Sequence, residues 1–223
     1  MDEVDHKELA KQLRQPEGEE GKEVALALNE TNSEMIGRTL QALQVIEGQV
    51  VLELGPGNGA HIPAFVEQTK PARFIGLDIS TTMVAETTAL LSDHTSSTEF
   101  DFVVYDGLTI PLEDSSVDKI VTVNTLYFWE SPVDLLNELF RVLKPGGKLV
   151  IAYIQKEAMK DRPFVQYGFT MYNNDDVQQL VTDSDFESVE IQDLHDEVTM
   201  PDGEQMSRDY SLAIINRHYL DSL

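Results

Sequence analysis

Val51-Leu-Glu-Leu-Gly-Pro-Gly-Asn-Gly59 is an apolar run that ends in glycines at every second position. Val50 to Leu54 reads as a buried strand and His61 to Gln68 as the helix that follows it. Glycines between a strand and a helix let the chain reverse sharply, and they bring backbone N–H groups close to a ligand with no Cβ in the way. Spacing alone does not name that ligand. Gly55-Pro-Gly-Asn-Gly-Ala60 also fits the Gly-x-Gly-x-x-Ala form of the dinucleotide fingerprint, and a tight turn with no ligand is built from the same residues.

Downstream of the loop the pattern alternates. A strand from Phe74 to Asp78 leads to a helix beginning at Ser80, and strands follow at Phe100 to Tyr105 and Val117 to Val123. Ser131 reads as the N-cap of a helix with Pro132 in its first position and Asp134 in its first turn. Lys144-Pro-Gly-Gly147 stops that helix, and Leu149 to Tyr153 is a fifth strand. Short apolar strands separated by helices predict a doubly wound, Rossmann-like α/β fold, with a mostly parallel sheet covered on both faces.

Beyond Ile154 the rhythm changes to an aromatic-rich segment from Gln155 to Tyr172, then a helix from Asp175 to Thr182. Strands near Ser188 to Asp193 and Tyr210 to Ile215 have no crossover helix between them, which predicts antiparallel pairing at the sheet edge.

The organisation expected is an N-terminal helical arm over residues 1–48, acting as a lid, and one compact domain over 49–223. Asp2 to Arg14 reads as a first helix, Gln15-Pro-Glu-Gly-Glu-Glu-Gly21 as a break, and Glu23 to Leu43 as two helices or a kinked one, with Gly48 as the stop. Asn29 and Asn32 give the lid its polar contacts.

The chain has 40 Asp and Glu against 16 Lys and Arg, a net charge of −24, which repels a phosphate backbone and excludes nucleic acid as a partner. Two readings of the acid remain, a simple solvated surface or adaptation to salt. No apolar run reaches the roughly 18 residues of a membrane span, and the N-terminus is acidic where a secretory signal would be basic. With no cysteine at all, the expectation is a cytoplasmic protein without disulfides or thiolate chemistry.

Three strand ends carry polar residues suited to one ligand. Asp78 is placed to accept both hydroxyls of a ribose, or to cap the next helix beside Ser80. Asp106, in Tyr105-Asp-Gly107, is placed to accept an adenine amino group while Gly107 lets the ring lie on backbone. Asn124 ends the fourth strand. Ligands of open α/β sheets bind beyond the carboxyl ends of the strands, where all of these fall.

On Glu53-Leu-Gly-Pro-Gly-Asn-Gly59, Gly76-Leu-Asp-Ile-Ser80, Tyr105-Asp-Gly107 and Leu143-Lys-Pro-Gly-Gly-Lys-Leu149, the core from about Gln49 to Tyr153 resembles the class I S-adenosylmethionine-dependent methyltransferases that modify small molecules. The resemblance implies a seven-stranded sheet whose last strand is antiparallel. It implies that Glu53 with the loop residues Gly55, Pro56, Gly57 and Gly59 holds the methionine end of S-adenosylmethionine, and later the S-adenosylhomocysteine product. Asp78 with Ile79 would hold the ribose, Asp106 with Gly107 the adenine, and Asn124 would lie beside the sulfonium, acting through main chain. Met83 packs on the adenine or simply on the core.

Methyl transfer needs aligned reactants and dry walls more than a nucleophile of its own. Tyr127, Phe128 and Trp129 are sited to form such a wall or to fill the core, and Phe164, Tyr167, Phe169 and Tyr172 are further candidates for contact with a small-molecule acceptor. Tyr127 and His61 are the candidates for acid–base work. The histidines show no metal-ligand spacing. The alternatives kept are an NAD(P)-dependent oxidoreductase, which lacks its Tyr-x-x-x-Lys pair here, and a non-catalytic sensor or partner protein that binds S-adenosylmethionine.

Overall fold

A period of two along Val51-Leu-Glu-Leu54 sends Val51 to one face of a sheet and Leu52 and Leu54 to the other. The same division runs through every central strand. In the computed structural model, which describes residues 5–199, 203 and 205–219, this strand is β1 (Val50–Leu54). It lies among β2 (Arg73–Asp78), β3 (Glu99–Val104), β4 (Val117–Val123), β5 (Leu143–Ile154), β6 (Glu190–Thr199) and β7 (Gln205–Asn216). The sheet order is β3-β2-β1-β4-β5-β7-β6, with β1 to β5 parallel and β7 antiparallel to both β5 and β6. The seven-stranded, doubly wound sheet with an antiparallel last strand is as expected.

One face is covered by α3 (Ser33–Leu43), α4 (Ile62–Thr69) and α5 (Thr81–Leu91), whose Met35, Leu43, Ile62, Phe65 and Leu91 pack on Val51, Phe74, Val121 and Val150. The other is covered by α6 (Pro132–Val142) and α8 (Asn174–Thr182), with Leu135, Leu139, Val177 and Val181 on Leu52, Ile75, Ile120 and Leu149. α8 opens on a capping box in which Asn173 and Asp176 exchange side-chain bonds to each other's backbone N–H, both at 2.9 Å.

α1 (His6–Arg14) and α2 (Gly18–Thr31) precede α3. The expected start of the first helix at Asp2 lies outside the described residues. The break between α1 and α2 is shorter than its composition suggests: it spans Gln15 to Glu17, and Gly18 through Gly21 are already helical. Gly21 fits there because a Cβ would stand 2.6 Å from the Pro16 carbonyl carbon. α3 ends at Gln44 in the left-handed region, not at Gly48, which instead turns the chain into β1. Met35 and Leu43 of α3 belong to the layer that covers the sheet, packing with Val121 and Val150.

Two other expectations are corrected and one holds. Lys144-Pro-Gly-Gly147 is not the gap before a strand but a bulge inside β5, where pairing with β4 jumps from Val117–Leu143 to Lys119–Lys148. Ser131 does occupy the N-cap of α6, with Pro132 and Asp134 in its first turn as expected, though its side chain makes no cap bond. The segment read as irregular contains α7 (Lys156–Met159) and a 3₁₀ turn, Pro163–Gln166.

Candidate functional site

The carboxyl ends of β1, β2, β3 and β4 open into a cavity of about 820 Å³, roofed by α1 and α2. That lies high in the range of roughly 300–1,000 Å³ common for ligand sites. Its wall on the sheet side is made by Glu53, Gly55, Pro56, Gly57, His61, Asp78, Ile79, Met83, Asp106, Gly107 and Asn124, so the strand-end residues singled out from sequence do converge.

Each has a local reason for its place. Gly57, at φ +60°, faces open space, with its N–H toward Asp78 Oδ2 at 3.3 Å and its carbonyl bonded by the Thr87 hydroxyl at 2.7 Å. Gly59 does not line the cavity. At φ +71° its missing Cβ leaves room for Thr87 of α5, whose Cγ2 would be 2.5 Å away, so it sets how closely α5 approaches the loop.

Asp78 is 5 % exposed and also accepts from the Ser80 N–H at 2.9 Å, while Ser80 Oγ caps α5 by accepting from Met83 N–H at 3.1 Å. Burial pushes the Asp78 carboxyl up to about 6, with the nearby Glu53 charge adding to it, against the lowering effect of its backbone N–H bonds. Asp106 is the opposite case. It is exposed, and the Leu108 and Thr109 N–H groups, at 2.8 and 2.6 Å from Oδ1, hold its carboxyl below the usual range.

Glu53 is deeply buried and its Oε2 lies 2.9 Å from His61 Nε2. Burial lowers the His61 pKa, but the charge and hydrogen bond of Glu53 outweigh it and the net shift is upward. Asn124 sits at φ +57°, a left-handed conformation that turns β4 away into the 3₁₀ turn Leu126–Phe128. Its Oδ1 accepts the Tyr127 hydroxyl at 3.0 Å, and Tyr127 Oη in turn accepts the Ile154 N–H. Burial drives the Tyr127 phenol well above its ordinary pKa, and its two hydrogen bonds tie the end of β4 to β5.

The far wall is apolar. Phe128, Phe164 and Phe169 form an aromatic cluster, with ring centroids 4.6 Å apart for Phe128–Phe169 and 5.5 Å for Phe164–Phe169. Trp129 also lines the cavity, its Nε1 donating to Thr125 Oγ1 at 3.1 Å. Two expected acceptor contacts are not there: Tyr167 is exposed and Tyr172 is packed in the core, and neither lines the cavity. The Tyr172 backbone carbonyl anchors α7 through Lys156 N–H, and its ring is spent on the same packing.

Sequence reasoning missed a buried polar network at one side of the cavity. Arg208 of β7 grips its cross-strand neighbour Asp196 of β6 with two bonds of 3.0 and 2.6 Å, and donates to Thr31 O and Asn32 Oδ1 at 3.0 and 2.9 Å. Asn32 Oδ1 also accepts from Asn124 Nδ2 at 3.3 Å. A readable signal existed, since Arg208 is in phase with the buried Tyr210 and Leu212 along β7 and so points inward.

Among the described residues no cluster of His, Asp and Glu suits a metal ion, and no helix is long and apolar enough to cross a membrane.

Residues 52–151 match the methyltransferase domain family. The chain belongs to the class I S-adenosylmethionine-dependent methyltransferases. The cofactor of this family is S-adenosylmethionine. A malonyl-[acyl-carrier protein] O-methyltransferase of Marinomonas sp. is 30% identical over 162 residues, 72% of this chain and 58% of that protein. The erythromycin 3''-O-methyltransferase of Saccharopolyspora erythraea is 28% identical over 57% of this chain and 42% of its own length. The chain thus spans about half the length of these curated relatives. A Haloferax volcanii methyltransferase in complex with the Trm112 methyltransferase activator superposes with a TM-score of 0.73 at 20% identity, covering 89% of this chain and 95% of that one.

Proposed function

We propose that this chain transfers a methyl group from S-adenosylmethionine to an oxygen of a small, largely apolar acceptor. The observation that carries the reading is the division of one cavity into a polar wall at the strand ends and an aromatic wall opposite. The O-methylating relatives support oxygen as the accepting atom.

Bound cofactor supplies a methyl group made electrophilic by a positively charged sulfur. Glu53, Gly55, Pro56 and Gly57 hold its methionine end, Asp78 and Ile79 the ribose, Asp106 and Gly107 the adenine, with Met83 beneath the ring. Gly59 acts indirectly, by seating α5. Asn124 presents its backbone carbonyl at the sulfonium, because its side-chain amide is engaged by Tyr127 and Asn32. Phe128, Trp129, Phe164 and Phe169 exclude water and orient the acceptor in line with the methyl. An acceptor that is already a carboxylate needs no base; a hydroxyl would pass its proton to solvent as the new C–O bond forms and the methyl–sulfur bond breaks.

The α1–α2 arm closes the cavity as a lid. Gln15 Nε2 donates to Ile79 O at 3.0 Å, the Ser80 hydroxyl to Pro16 O, and Gly18 N–H to Thr82 Oγ1 at 3.2 Å, all beside the proposed ribose site.

Melting with additives tests the cofactor reading, since a ligand of the native state raises Tm with its concentration. S-adenosylhomocysteine should raise Tm while NAD and NADP leave it unchanged; the reverse pattern would restore the oxidoreductase. Labelled-methyl transfer to a panel of apolar carboxylates and alcohols then tests the acceptor, and binding with no incorporation would favour the sensor.

A further inference from the structure

A guanidinium drawn out of water needs an anion or several carbonyls to hold its charge, and in a chain with 40 acids and 16 bases carboxylates are not scarce. Arg14, Arg38, Arg73, Arg141 and Arg208 each pair with an Asp or Glu, at 2.5 to 3.2 Å. Arg217 donates to the carbonyls of Phe140, at 2.8 Å, and Leu143, and its guanidinium lies 4.2 Å over the Phe140 ring. Arg162 is the exception. Its guanidinium meets the Met206 sulfur, and it forms no ion pair among the described residues. A thioether is a weak acceptor and carries no charge.

Arg162 is half-buried and lines the cavity. Its backbone is fixed, with its N–H on Met159 O at 3.0 Å at the end of α7, and its carbonyl accepting from Val165 N–H at 3.1 Å. Met159, Phe164 and Met206 line the cavity there, as does Val198, the cross-strand partner of Met206. The far wall is thus apolar with one uncompensated positive charge set into it.

That charge stands back from the proposed methyl position. Asn124 is tied through Asn32 Oδ1 to Arg208, whose own charge Asp196 balances. Met206 is two residues from Arg208 on β7, about 7 Å of strand, and Arg162 lies against Met206. At the other end of the cavity Glu53, Asp78 and Asp106 disfavour a second anion. A negatively charged acceptor therefore has one favoured orientation, with its charge toward Arg162.

Resting on the methyl-transfer reading above, we propose that the acceptor is an amphipathic anion, and that Arg162 binds a carboxylate of it that is not the methylated oxygen. Phe128, Phe164 and Phe169 pack on the apolar body between the two ends. A hydroxyl at the other end gains the methyl as the methyl–sulfur bond breaks and loses its proton to solvent, while the carboxylate on Arg162 is carried through unchanged. The substrate class is a hydroxylated aromatic or alkyl carboxylic acid, and Arg162 is its specificity-determining residue.

Matched acids and amides test this on the full chain. Calorimetry with the protein saturated with S-adenosylhomocysteine compares 3-(4-hydroxyphenyl)propionate and 10-hydroxydecanoate with their uncharged primary amides. The acids should bind roughly tenfold or more tightly than the amides. Arg162→Gln should erase that preference while holding S-adenosylhomocysteine affinity within about twofold, and Arg162→Lys, which keeps the charge, should retain part of it. Acids that bind no tighter than their amides, or a preference that survives Arg162→Gln, overturn the proposal. Labelled methyl carried to these acids should resist mild alkali as an ether; label released as methanol marks an ester, makes the carboxylate itself the acceptor and overturns the assignment of Arg162 to a separate group. A wild-type chain that binds no S-adenosylhomocysteine overturns the methyl-transfer reading itself, a distinct result.

Discussion

Asp78 shows how one buried carboxylate couples binding to pH. Its folded pKa is raised from 3.8 to about 6, so its protonated form favours folding: that contribution is full below pH 4 and is lost as pH rises through 6. In the proposed assignment, ribose hydroxyls donate to the ionised form. Affinity for S-adenosylhomocysteine is therefore expected to fall as pH drops from 7 to 5, and Asp78→Asn should flatten that dependence while weakening binding throughout. A profile in Asp78→Asn as steep as the wild type would place the titrating group elsewhere. Tyr127 makes the contrasting case. Tyr127→Phe strips a donor from Asn124 and an acceptor from the half-buried Ile154 N–H, which should cost about 1–3 kcal/mol in denaturant melts. With the phenol held protonated by its burial and bonds, the pH–rate profile of kcat is expected to keep its shape in this variant; loss of a basic limb would return Tyr127 to the role of base. Gly59→Ala combines a left-handed backbone with a 2.5 Å approach to Thr87, and it is expected to lower stability by about 1–3 kcal/mol.

At the scale of elements, the Arg208–Asp196 pair joins the β6–β7 ladder to the hinge between α2 and α3 at Thr31 and Asn32, 177 and 176 residues away along the chain. Arg208→Met leaves Asp196 buried without its cation and should cost roughly 3–5 kcal/mol, whereas Arg208→Met with Asp196→Leu should recover most of it. No recovery in the double variant would mean the network fixes the hinge by its hydrogen bonds and not by charge balance. Removal of residues 1–30 spares α3 and its packing, so the sheet should still melt cooperatively while turnover and cofactor retention are lost; unchanged kinetics would rule out the lid.

The legible parts of this protein were those whose cause is local. Glycines after an apolar strand, acids at strand ends and a proline at a helix start each act on their own few residues, and β1 to β4 and the strand-end wall followed from them. What was not legible depends on partners distant in sequence. α3 reads like more of the arm until Val121 and Val150 arrive to bury Met35. Lys144-Pro-Gly-Gly147 has the composition of a stop and becomes a bulge because Arg217 supplies it with bonds, Gly146 N–H to Arg217 O and Arg217 N–H to Gly147 O. Tyr172 and Phe169 look alike as aromatics in one segment, yet one fills the core and the other the cavity.

For the molecule as a whole, the dominant fact is charge. Forty acids against sixteen bases leave most carboxylates without a cation, and the ion pairs the structure does form are mostly exposed and weak in water. Added KCl screens like-charge repulsion, so Tm is expected to rise with salt up to molar concentrations. A Tm that is flat or falls would favour the plain solvated surface.

The sheet order has one more consequence, for how the protein is made. β7 lies between β5 and β6, so β6 has no neighbour to pair with until β7 has left the ribosome and slotted in. Until then β5 presents an open edge and Asp196 waits without Arg208. The nascent chain therefore stays adhesive until β7 has emerged. A stop codon after Thr199 should yield inclusion bodies, not a smaller soluble methyltransferase.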